Sequence, residues 1–393
     1  MTGDGADRGS MKLDHRVPEL DGVRALAISM VLLTHALFAY TNPPGALSSV
    51  PAPIHQVLSH GWLGVDLFFV LSGFLITGIL LDTKERPKYF RNFYARRFLR
   101  IMPLYFSLIF VWMVLYRHYT SYFILSSVFG ANFSYLLHIA EPHGPGVLWS
   151  LAVEEHFYLV WPLVVLLLRR RTLFVLSAAI FVLTPVFRGI FAARGLDPNV
   201  IYMLSWFRFD GLAAGAMIAL WVRSPHADRT FARRMAAALL GLMVLTTAAG
   251  APFGLLHSHS AASAALRYTQ AYLVFGSFFV LAVAYQGTAW TAPLRWPAMR
   301  LIGALSYCLY LVHLSVGDGY EAIMRIYGIS AEGLLGPTGA VLARAAVITG
   351  GSLGIALLSR RYLEEPFLAL KDRFTSAPMA TTRPVPAFEV TGD

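Results

Sequence analysis

The chain has 393 residues, 56% of them hydrophobic and only 14% charged, with a mean hydropathy of +0.58. These figures exclude an ordinary soluble domain and point to an integral membrane protein. The formal net charge of +10 does not argue for nucleic acid as a partner: the Lys and Arg residues sit between hydrophobic runs, as expected of loops on one face of a membrane. Cys308 is the single cysteine and can form no internal disulfide.

In chain order, residues 1–19 are polar and read as a cytoplasmic tail. The first span is too long, and lacks a clear small-residue cleavage site, to be a removable signal, so it is expected to be retained. Runs long enough to span follow at 21–40, 61–81, 101–116, 147–168, 172–191, 206–222, 235–253, 268–286, 301–316 and 338–359. Another apolar stretch, 120–138, is broken by Gly130 and Asn132. If it does not cross, most Lys and Arg residues fall on one face, leaving Arg117, Arg194, Arg267 and Arg325 in the opposite loops. It is therefore read as interfacial or re-entrant, with both termini cytoplasmic. The expected architecture is an all-α, multi-pass bundle of about ten transmembrane helices over 20–373, followed by a disordered cytoplasmic tail at 374–393. No internal repeat and no second soluble domain is evident.

Ionisable residues inside such segments are costly to bury and mark candidate function. Arg24 and His35 share the first span, eleven residues and roughly 16 Å apart along a helix axis. Asp66, about five residues into the second span, and Glu154, about six into the fourth, are expected near the depth of His35. A carboxylate beside an imidazole fixes its tautomer and makes it a competent base, so Glu154 or Asp66 is expected to orient His35, which would take the acceptor proton or carry the acyl group transiently. Arg97 and Arg100 are spaced i, i+3 before Pro103 and suit bidentate binding of phosphate, with Arg24 further along the path. Ser72, Trp149, Ser150, Glu155, Arg208, Asp210, Tyr310 and His313 are candidates for acceptor contact or for packing between helices. No GxxxxGK[ST], HExxH or CxxC occurs, and no metal is expected.

Four stretches occur in order: the Arg24-x10-His35 pair; Gly64-x-Asp66-x-Phe68-Phe69-x-x-Ser72-Gly73; Arg97-x-x-Arg100; and Trp149-Ser150-Leu-x-Val-Glu154-Glu155. Weaker echoes follow at Arg208-Phe-Asp210-Gly211, Ser306-Tyr307 to His313, and Arg361-Tyr-Leu-Glu364-Glu-Pro366. The ordered set resembles the membrane acyltransferase-3 family, multi-span enzymes that acylate surface polysaccharides, lipids and some antibiotics, over roughly residues 18–373. The resemblance implies ten spans, an acyl-CoA donor on the cytoplasmic side, and an essential histidine and arginines at the matched positions. His156 departs from the family's usual Gln. No hydrolase-like extracytoplasmic domain is evident, so the acceptor is expected to be handled by the bundle or by a separate partner.

The sequence thus reads as an inner-membrane O-acyltransferase, most simply an O-acetyltransferase. It would move an acyl group from acetyl-CoA or another acyl-CoA to a hydroxyl of a glycan, glycolipid, lipid-linked carbohydrate or small glycosylated product. The expected partners are these substrates and membrane lipids, with no nucleic acid. Two other classes stay open on the residues alone: a transporter or flippase of acyl or glycan substrates, and a non-catalytic partner in cell-surface polysaccharide assembly.

Overall fold

A computed structural model describes residues 17–255 and 260–374. It is all-α, with no strand among the described residues. The helices are α1 (Pro18–Phe38), α2 (Ala52–Ser59), α3 (Gly64–Thr83), α4 (Tyr89–Leu115), α5 (Thr120–Ser127), α6 (Leu148–Leu167), α7 (Arg170–Ala193), α8 (Pro198–Met203), α9 (Phe209–Val222), α10 (Arg229–Gly250), α11 (Ala261–Ala284), α12 (Pro297–Ile326), α13 (Ala331–Ser359) and α14 (Glu365–Ala369). Among the described residues, nine helices are long and apolar enough to cross a membrane, and α9 is a shorter apolar helix. The expected N-terminal tail falls largely, and the C-terminal tail almost wholly, outside the described residues.

Two expected boundaries change. The basic stretch before Pro103 is not a loop: α4 begins at Tyr89 and carries Arg91, Arg96, Arg97 and Arg100, with Pro103 inside the helix. Arginine is a good helix former, and Pro103, midway along α4, removes one backbone hydrogen bond without ending the helix. The expected span 206–222 becomes the 14-residue α9, preceded by a 3-10 turn at Ser205–Phe207. It need not match the hydrocarbon thickness, because it is buried by protein on nearly every side and the backbone before it is covered as well.

Close approach of α3 and α9 depends on glycine. A side chain on Gly73 would collide with the Leu212 backbone, and one on Gly215 with the backbone of Val70 and Phe74. By contrast α4, α7 and α10 present Phe110, Val175 and Leu245 outward, as lipid-facing helices do.

The helix ends sort into two groups. At one end Lys84 donates to the Leu168 carbonyl (2.9 Å), Arg223 pairs with Asp82 (2.6 Å), Arg170 reaches the Arg223 carbonyl (3.0 Å) and Arg295 meets Glu19 (3.4 Å). This is the basic end. At the other, Tyr116 at the close of α4 and Gly144 just before α6 both bond Asp318 of α12, at 3.0 and 2.9 Å. The chain between α4 and α6 therefore leaves and returns at one end. The 120–138 stretch within it forms only α5 and a 3-10 turn at Ala131–Phe133, not a span.

Candidate active site

Between α1, α3, α4, α6 and α12 lies a cavity of about 270 Å³. Arg24, Arg86, Arg96, Arg97 and Arg100 line its basic end, Leu75, Ile76, Phe93 and Ile101 are among its apolar walls, and Ser72, Ser150, Glu154 and Tyr310 are among its polar lining. Because α4 is helical here, Arg96, Arg97 and Arg100 occupy successive positions around one stretch of helix.

Arg97 is held in place. Its guanidinium lies 3.6 Å from the centre of the Tyr158 ring, 3.5 Å from Glu154 and 3.8 Å from Glu155. The Tyr158 hydroxyl donates to Glu154, which leaves the Ser72 hydroxyl to donate to Tyr158. Arg24 pairs with Asp21 one turn earlier (2.6 Å). Among the described residues no carboxylate lies within ion-pair distance of Arg100, which is exposed and lines the cavity.

Tyr310 and Ser150 meet beside the apolar part of the cavity, hydroxyl to hydroxyl at 2.6 Å. One turn further along α12 stands His313, whose ring lies 5.9 Å from that of Tyr310. His313 Nε2 is 2.9 Å from Nδ1 of His35 on α1. His313 is completely buried and His35 half-buried.

The expected orientation of His35 by a carboxylate does not appear. Glu154 faces Arg97 across the cavity, and Asp66 is taken by Arg208 (2.5 Å). Shared depth set none of this: rotation about each helix axis turns the two carboxylates away from α1. Arg208 and Asp210 do not pair with each other either. Asp210 pairs with Arg188 of α7 (2.8 Å), and all four side chains of this cluster are fully buried. Arg188 also donates to the carbonyls of Phe207 (2.7 Å) and Ala265 (3.0 Å). Trp149 and Tyr268 flank the Arg208 guanidinium at 5.7 and 4.0 Å. The cluster therefore locks α3, α7, α9 and α11 together rather than facing the cavity. His156 belongs to a structural contact too, meeting Ser205 Oγ at 2.7 Å, where Asn132 also donates.

Three features were not anticipated from sequence. Tyr158 stands under Arg97; its i, i+4 spacing from Glu154 was the available signal. Arg188, a charge within an apolar run, is the buried partner of Asp210. A third group surrounds Asp318, which accepts from His143 (2.7 Å), Tyr40 (3.2 Å), Tyr116 (3.0 Å) and the Gly144 amide. The hydrogen bond to Asp318 raises His143 above the usual imidazole range. Glu141, in the same loop, is raised by burial.

The sequence profile of the acyltransferase domain family matches residues 17–359. The chain belongs to this family. The match contains both histidines and every arginine lining the cavity. The chain is similar to the peptidoglycan O-acetyltransferase OatA of Listeria monocytogenes, 31% identical over 229 residues, covering 52% of this chain and 34% of the relative. It is also similar to the O-acetyltransferase OatA of Staphylococcus aureus, 28% identical over 335 residues, covering 76% of this chain and 50% of the relative. The chain thus spans half or less of the length of these curated relatives. No solved structure matches it.

Proposed function

We propose that this family member is a membrane O-acetyltransferase that moves an acetyl group from acetyl-CoA to a hydroxyl of a carbohydrate or lipid-linked carbohydrate. The single observation that carries the reading is the cavity: five arginines converge at one end, and the far wall, Tyr310 with Ser150, abuts the His35–His313 pair. A nucleotide-bearing thioester has the matching polarity, with phosphates at one end, a flexible amide arm, and the reactive carbonyl at the other. The relatives named peptidoglycan O-acetyltransferases favour a glycan hydroxyl as acceptor.

In this reading Arg97 and Arg100 bind donor phosphate at the basic end, which the positive-inside rule places in the cytoplasm of an inner membrane. Glu154, Glu155 and Tyr158 hold the Arg97 fork at the correct angle. Arg24 lies further along the arm, and the apolar walls exclude water from the thioester. His35 then takes the proton of the acceptor hydroxyl as its oxygen attacks the thioester carbonyl. Collapse of the tetrahedral intermediate breaks the carbon–sulfur bond, and the proton passes to sulfur to leave free coenzyme A. Ser72 and Tyr310 line the route of the thioester, and Asp66, Arg208, Asp210 and Trp149 hold the helices that frame it.

The test is incubation of purified protein in vesicles with labelled acetyl-CoA and an oligosaccharide acceptor. Release of free thiol together with labelled acceptor is expected, and both should be lost in His35→Ala. Transport or a purely structural role predicts no thioester consumption.

A further inference from the structure

The hydrogen bonds around the two histidines determine which nitrogen carries which proton. His313 Nδ1 lies 2.7 Å from the backbone carbonyl of Tyr310. A carbonyl only accepts, so Nδ1 of His313 must bear the hydrogen. A neutral His313 therefore presents a bare Nε2, and that lone pair faces Nδ1 of His35 at 2.9 Å. Protonating both nitrogens of His313 would bury a charge with no carboxylate of the described residues in hydrogen-bond contact. The nearest acid on its own helix, Asp318, is already engaged by His143, Tyr40, Tyr116 and the Gly144 amide. His35 must then carry its hydrogen on Nδ1, which leaves Nε2 free. Burial separates the two rings in the same sense: His313 is sealed within the bundle, whereas His35 keeps part of its surface open.

We infer that His313 is a positioning residue that fixes His35 in the Nδ1–H tautomer, so that Nε2 of His35 is the atom that accepts the proton of the hydroxyl substrate. The inference deepens the transferase reading and rests on it for its chemical meaning. The Tyr310 carbonyl, His313 and His35 form a line in which a backbone oxygen and a neutral imidazole do the orienting that a carboxylate performs in hydrolase triads. During transfer Nε2 of His35 gains the hydroxyl proton while the new carbon–oxygen bond forms. The Nδ1–H bond to His313 is retained throughout, and the same Nε2 proton leaves with sulfur as the carbon–sulfur bond breaks. His313 begins and ends neutral.

The experiment is nitrogen-15 NMR of the histidine rings in the full chain in nanodiscs, with the His35 signals assigned from a His35→Gln sample. A protonated Nδ1 and a bare Nε2 on His35 at neutral pH are expected; the opposite tautomer would overturn the inference. Kinetics supply the second reading. His313→Gln, whose side-chain oxygen can accept from His35, should keep kcat within about tenfold, whereas His313→Phe should lose on the order of 10³- to 10⁴-fold in kcat with KM for acetyl-CoA unchanged. Folded His313→Phe protein with wild-type kcat would remove the positioning role. If that variant does not fold, the wild-type spectrum and the His313→Gln kinetics still decide. Wild-type protein that consumes no acetyl-CoA would sink the transferase reading instead, while the ring spectra would still report the tautomer.

Discussion

Arg97 and Arg100 differ in how they are held, and this sets what each substitution should do. Arg97 is braced by Tyr158, Glu154 and Glu155, whereas Arg100 faces the cavity with no carboxylate of the described residues within ion-pair distance. Both Arg97→Ala and Arg100→Ala are expected to weaken acetyl-CoA binding by about 1.5–3 kcal/mol each, the worth of a charge-assisted hydrogen bond. Isothermal titration on folded protein checks this, and unchanged affinity in both variants would return these arginines to anchoring lipid headgroups. Arg97→Ala should additionally leave Glu154 and Glu155 without their cation, so its stability should fall while that of Arg100→Ala should not. The buried pair of Asp66 and Arg208 makes a different prediction. Asp66→Asn strands a guanidinium in the interior, at an expected cost of about 3–5 kcal/mol in chemical denaturation. The double variant Asp66→Asn, Arg208→Met should recover much of that loss, because no charge is then left alone.

At the scale of elements, the packing of α3 on α9 rests on backbones in contact at Gly73 and Gly215. Gly73→Val must push α9 outward and should destabilise the bundle by at least about 1–3 kcal/mol, visible as a lower melting temperature. Displacing α9 also moves Arg208 and Asp210, so loss of activity is expected even though no cavity residue changes. The loop before α6 is joined to α12 by a titratable contact, His143 with Asp318. The folded state raises His143 above 6.5, so the tie is fully present below that pH and is lost as pH rises through the raised value. Deuterium exchange in the loop around His143, corrected for intrinsic rates, should therefore quicken as pH rises through this window. His143→Gln should abolish that dependence. With His143 47% exposed, the effect belongs to local opening rather than to global stability.

The whole molecule is polarised: a basic end where five arginines open onto one cavity, and an opposite end closed by contacts to Asp318. Acetyl-CoA should therefore support turnover in sealed vesicles only from the basic side, with free coenzyme A appearing on that side. Equal turnover from both sides would contradict this polarity. Much of this plan was legible in the chain. Hydropathy located the spans, because burying a backbone in lipid demands long apolar helices. Charge asymmetry kept 120–138 from crossing, and the i, i+3 spacing put Arg97 and Arg100 on one face. The extent of α4 and the shortness of α9 escaped, since an arginine-rich helix resembles a loop in hydropathy and a buried helix resembles a lipid-facing one. The partners of the buried charges escaped as well. Position along a helix axis is a property of sequence, and so His35, Asp66 and Glu154 could be placed as ionisable groups in apolar segments. Direction around that axis is settled only when helices pack, through contacts such as Gly73 on Leu212 that lie far apart in the chain. Sequence by itself therefore determined the membrane bundle, its family and its inventory of charged side chains. Tertiary structure alone decided that Asp66 faces Arg208, that Glu154 faces Arg97, and that His35 faces another histidine.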